Sequence, residues 1–130
     1  MSLVAQLSAL ATRIGTEIKG LIRTDHPGLA RAWVNFGYVG GAIQFRAAYN
    51  VASVTRLGTG RYRIEFETPF PDAKYCWVAT GRSNTATGTI RFAAARGTTD
   101  GKTADTLELV CTSAAASLAD TPEISLVVYR

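Results

Sequence analysis

Between residues 3 and 23 the apolar side chains Leu3, Leu7, Leu10, Ile14, Ile18 and Leu21 fall at steps of 4, 3, 4, 4 and 3. That spacing is the stripe of an α-helix, and strand alternation is absent from the segment. The other faces carry Gln6, Ser8, Thr12, Arg13, Thr16, Glu17 and Lys19, so the stripe is narrow, as in a helix that meets copies of itself. Ser2 is placed to cap its start. The 4-4 step after Ile14 departs from strict heptads toward an eleven-residue repeat, which predicts little supercoil or a slightly right-handed one. Gly15 and Gly20 each weaken the helix by roughly 1 kcal/mol relative to Ala. At about 1.5 Å per residue it reaches only about 30 Å. Such a helix is marginal alone, so a following head should share the oligomer interface.

The run Thr24, Asp25, His26, Pro27 and Gly28 stops the helix, because Pro27 disfavours helical geometry at His26 and Gly28 suits a turn. Beyond it the period changes from helical to two. Ala32, Val34 and Phe36 alternate with Trp33 and Asn35, and Ile43, Phe45, Ala47 and Tyr49 alternate with Gln44, Arg46 and Ala48. Residues 37–41 read as the loop between these strands. Residues 61–67 give the sharpest alternation, with Tyr62, Ile64 and Phe66 on one side and Arg61, Arg63, Glu65 and Glu67 on the other. The preceding strand, about 51–57, reaches it through Gly58, Thr59 and Gly60, a hairpin loop with glycines for positive φ. Further strands are expected at 75–80, 89–94, 106–111 and 123–129. The pattern predicts residues 1–28 as helix and hinge and 29–130 as one mainly β head, a compact antiparallel sandwich or barrel. Trp33, Tyr62, Ile64, Phe66, Trp77 and Ile90 are its expected core.

Composition supports this division. The 130 residues are one domain's worth of chain, 47% hydrophobic and only 18% charged, with 12 glycines. The net charge of +4 favours an acidic partner only through long-range attraction. Basic residues are scattered from Arg13 to Arg130 rather than clustered with aromatics, so nucleic acid is not an expected partner. Cys76 and Cys111 belong to no CxxC pair and are expected as buried free thiols, with a Cys76–Cys111 disulfide left open. Residues 1–10 lack a basic leader and no run approaches the roughly 20 apolar residues of a membrane span. Folding in a cytosol, without membrane insertion, is the expectation.

From residue 31 to 81 the wording itself carries information: RAWVNF, then IQFRAAYNVASVTRLGTGRYRIEFETPFPDAKYCWVATG. This resembles the C-terminal domain of bacteriophage tail-fibre proteins, whose pattern is matched at 32–36, 50–55, 58–62 and 71–75. Residues 123–130 are similar to that family's last strand, and the likeness is thin between 82 and 122. Arg56 stands where the pattern often has Asp, and Phe70 where it often has Met. The resemblance implies a homotrimeric virion component with an N-terminal stalk and heads that recognise a bacterial surface. A stalk of about 30 Å is no whole fibre, so the chain would be seated on other phage virion proteins.

Catalytic chemistry finds no constellation. His26, the lone histidine, sits in the helix-ending turn, where it is expected to bond a neighbouring chain rather than to serve a triad. Glu65 and Glu67 share a face with Arg61 and Arg63, which reads as a charge ladder rather than a glycosidase pair. Asp100, Asp105 and Asp120 lack metal-ligand spacing, and residues 37–41 lack the Lys and Ser or Thr of a phosphate loop. No enzyme, cofactor or metal is therefore expected. Two function classes remain: a receptor-binding fibre tip, with a host-surface glycan as candidate ligand, and a capsid decoration or tail adaptor. Binding is expected in turn-rich loops, at Arg82, Ser83, Asn84 and Thr85 and at Arg96, Asp100 and Lys102. The stalk residues are Leu3, Leu7, Leu10, Ile14, Ile18 and Leu21.

Overall fold

The computed structural model describes residues 2–23, 25–83, 85–86, 88–96 and 101–130. Helix α1, Leu3–Leu21, starts where Ser2 Oγ accepts the amide of Ala5 at 3.2 Å. No residue of α1 is buried, so the whole stripe faces solvent in the single chain. Past the helix, His26 Nδ1 accepts the amide of Gly28 at 3.0 Å. That nitrogen closes its own turn.

Eight strands follow: β1 (Ala32–Val39), β2 (Ala42–Tyr49), β3 (Val51–Gly58), β4 (Arg61–Phe66), β5 (Cys76–Arg82), β6 (Arg91–Ala94), β7 (Thr106–Ser113) and β8 (Glu123–Tyr129). They form one antiparallel sheet in the order β2-β1-β8-β5-β6-β7-β4-β3. Its two edge strands, β2 and β3, are consecutive in sequence and joined by Asn50 alone. A single residue cannot span an open eight-stranded sheet, so the sheet curls into a nearly closed barrel. Asn50 takes a positive φ of 53° and pins the joint with its side chain. Its Nδ2 donates to the carbonyls of Arg31 and Thr68, and its Oδ1 accepts the amide of Thr68. Closure also brings the ring of Phe36 on β1 edge-on to Tyr62 on β4, 5.3 Å between centroids.

The interior is built from one parity of each strand: Ala32, Val34 and Phe36; Tyr62, Ile64 and Phe66; Leu107, Leu109 and Cys111; Ile124, Leu126 and Val128. Phe66, Phe70 and Tyr75 close one end with mutual ring contacts. Two residues expected in the core lie outside it. Trp33 is 40% exposed because alternation with Ala32 and Val34 turns it outward, and Ile90, 58% exposed, lies before β6 begins. Trp77 is half-buried against the core. Cys76 is exposed, contrary to expectation, while Cys111 is buried, and both thiols are free. The expected 37–41 loop is mostly strand, since β1 runs on to Val39 and only Gly40 and Gly41, with φ of 61° and 82°, make the turn. Gly37 lies within β1, where only glycine fits because a Cβ would run into the carbonyl of Pro122.

Candidate functional site

Strand pairing gives the barrel two ends. Arg31, arriving from α1, donates its amide to the carbonyl of Val128, so chain entry, the Asn50 joint and Arg130 share one end. The turns at Gly40 and Gly41 and at Thr59 and Gly60 mark the other. The expected binding residues divide between them.

Arg82 is the last residue of β5 rather than a loop residue, and it stands at the far end. Its Nη1 meets Glu123 Oε2 at 3.0 Å, the rest of the guanidinium facing solvent. Glu123 Oε1 accepts Asn35 Nδ2 at 2.9 Å, and the same Nδ2 reaches Ser125 Oγ at 3.0 Å. Asn35 first and Arg82 second hold the Glu123 carboxyl below its ordinary value, so it stays charged near neutrality. Nearby, Arg46 Nη2 donates to the carbonyl of Pro122 at 2.6 Å. Ser83 Oγ accepts the amide of Thr85 at 3.5 Å, and Arg82, Ser83, Thr85 and Ala86 line a shallow depression. Asn84 lies outside the described residues.

Arg96 and Lys102 belong elsewhere. β6 runs back from the far end, and Arg96, exposed, follows it toward the side where α1 enters. Lys102 Nζ sits 4.7 Å from the Tyr75 ring centre, and the Tyr75 hydroxyl donates to the carbonyls of Thr103 and Thr106, both at 2.9 Å. Asp100 lies outside the described residues. The two expected loops are thus not one site. Only the group around Arg82 faces away from the end where α1 arrives.

A third cluster escaped the sequence. Asp120 accepts Arg56 Nε, the Gly60 amide and the Tyr62 hydroxyl on Oδ1, and Arg56 Nη2 on Oδ2. Arg56 lies over the Tyr38 ring at 4.4 Å. This locks the β3–β4 turn onto the segment leading into β8, with Arg56 Nη2 also donating to Thr59 Oγ1 within the turn, so the cluster is structural. Among the described residues no three His, Cys, Asp or Glu side chains gather as metal ligands. Glu65 Oε2 accepts Ser53 Oγ at 2.9 Å, and Arg63 pairs with Glu108.

Fold and site together define a class: an antiparallel β-barrel with a long, wholly exposed N-terminal helix and a small ion-paired surface cluster at the opposite end. No family model, curated protein or solved structure matches the chain.

Proposed function

We propose that the chain is a non-enzymatic bacteriophage virion protein, assembled in the host cytoplasm, whose α1 helices join three copies and whose heads bind the host cell surface. The observation that carries this reading is α1 itself. Its stripe of Leu3, Leu7, Leu10, Ile14, Ile18 and Leu21 is exposed in the single chain, while the barrel fills its own core without it. Apolar surface in a continuous stripe is stable in water only against another apolar surface, and an identical helix offers one. The likeness of residues 32–36, 50–55, 58–62 and 71–75 to tail-fibre heads supplies the kind of particle. Three parallel copies would set three Arg82 clusters side by side, and weak contacts to repeated glycan units would add through their shared attachment. The open guanidinium of Arg82 suits the carboxylate of a sugar acid.

Light scattering on the purified chain should give a trimer of the 13.9 kDa subunit. The same protein, added to host cells before phage, should occupy receptors and lower adsorption. A trimer that leaves adsorption unchanged but is retained on capsids or tails would instead be a decoration or adaptor of other virion proteins.

A further inference from the structure

The outer surface of the barrel has a wet half and a dry half. On β3, β4 and β7 the outward positions include Ser53, Thr55, Arg63, Glu65 and Glu108, with Ser53 bonded to Glu65 and Arg63 paired with Glu108 across strands. Across β2, β1, β8 and β5 the outward positions align instead as Tyr49, Trp33, Val127 and Val78, one register row without a charge. Val78 is 62% exposed and Trp33 borders a groove of about 330 Å³. The next row toward the far end is Ala47, Asn35, Ser125 and Thr80, and the β8–β5 row beyond it is the pair Glu123 and Arg82. On β8 and β5, apolar character therefore peaks in the Trp33 row and gives way to hydroxyls and then to an ion pair toward the far end.

We propose that this face is where the heads of the oligomer pack on one another, Trp33 and Val78 of each copy turned toward the common axis that begins in α1. The inference rests on the self-association of α1 put forward above. Three features select a second copy as the occupant. Trp33 is the second residue of β1, the first strand after α1, so helices gathered on one axis bring this end of the barrel toward it. A surface that meets its own copies must tolerate its own charges, and in a chain of net charge +4 these central rows carry none. Finally, an apolar centre grading into hydroxyls, amides and then ion pairs is the anatomy of a protein interface with its polar rim.

Cys76 supplies the test. It is exposed on the same outward parity as Val78, two residues away, whereas Cys111 is buried and its thiol pushed up to about 11 by desolvation. An aromatic disulfide reagent applied to the reduced full chain at pH 8 therefore reads Cys76. The comparison is with an Ile14→Asp variant, monomeric through loss of the stalk contact. Cys76 should react at least about tenfold more slowly in the wild-type oligomer, since thiolate access sets the rate. Val78→Glu, an exposed change checked for folding by circular dichroism, should raise Cys76 reactivity and shift dissociation to higher protein concentration. An oligomer whose Cys76 reacts as fast as in the monomer, and which Val78→Glu leaves intact, overturns the packing and leaves the face open for an outside ligand. A wild-type chain that is monomeric at all concentrations overturns both this inference and the stalk.

Discussion

Arg56 and Asp120, 64 positions apart, meet in a two-point ion pair, with Nε to Oδ1 at 3.1 Å and Nη2 to Oδ2 at 2.8 Å. Both are mostly covered, and Oδ1 takes two further hydrogen bonds, from the Gly60 amide and the Tyr62 hydroxyl. Burial alone would raise the Asp120 carboxyl, but the donors of Arg56, Tyr62 and Gly60 outweigh it and hold the group at about 2. Because the folded value lies below the unfolded one, near 4, the stabilisation is complete above about pH 4 and is lost as pH falls toward 2. Asp120→Ala should cost about 3 kcal/mol in urea denaturation at pH 7 and flatten the acid limb of the stability curve. An unchanged acid limb would show that Asp120 does not anchor the turn.

Phe66 touches both Phe70 and Tyr75, at centroid distances of 4.7 and 5.6 Å, and closes the entry end of the core. Phe66→Ala removes a buried ring from a packed aromatic group and should cost about 3–5 kcal/mol. Chemical denaturation checks this. A cost below about 1 kcal/mol would mean that water or neighbouring side chains fill the space.

What is legible in the sequence is whatever repeats locally. The alternation of Tyr62, Ile64 and Phe66 with charged residues places that strand's inner face correctly, because charge on alternate positions leaves one orientation. Trp33 misleads because its size argues for burial, although Ala32, Val34 and Phe36 on the opposite parity already fill the interior. The helix stripe is readable from spacing, and Pro27 and Gly28 mark the turn that follows its end. The Asp120 cluster has no local signal, since its partners lie about 60 positions away and meet only after the barrel closes. The division of Arg82 from Arg96 is equally hidden. It follows from β5 lying between β8 and β6, an order that no property of either loop encodes.

Gly60 has a φ of 63°, and a Cβ on it would press into the backbone of Cys111 and Ala119. Strain and steric conflict act together at this turn, which also feeds its amide to Asp120. Gly60→Ala should destabilise by about 2–4 kcal/mol, more than a positive φ alone costs. Thermal denaturation compared with Gly40→Ala, where φ is likewise positive at 61° but a Cβ meets nothing, separates the two causes. Equal effects at the two positions would argue that close approach contributes nothing.

Arg82 and Arg96 look alike in the sequence as loop arginines, and the barrel makes them a discriminating pair. Arg82 stands at the far end with most of its fork in water, while Arg96 follows β6 toward the side where α1 enters. If the helices gather the heads on a shared axis, the far ends are presented outward and the entry ends face the rest of the particle. Arg82→Ala should therefore lower adsorption of phage carrying it, and by a larger factor than weakened binding at a single head would produce, because three heads joined as proposed would act together. Arg96→Ala should leave adsorption unchanged. Neither change should alter trimer mass or melting temperature much, since Arg82 holds Glu123 only through an exposed pair and Glu123 keeps its bond from Asn35. Adsorption kinetics on host cells and light scattering on the purified variants measure the two effects separately. Should Arg96→Ala be the change that lowers adsorption, the binding end is the one beside α1, and the orientation proposed for the heads is reversed. Should both variants adsorb normally while particles lose integrity, the basic surface serves an acidic neighbour within the virion.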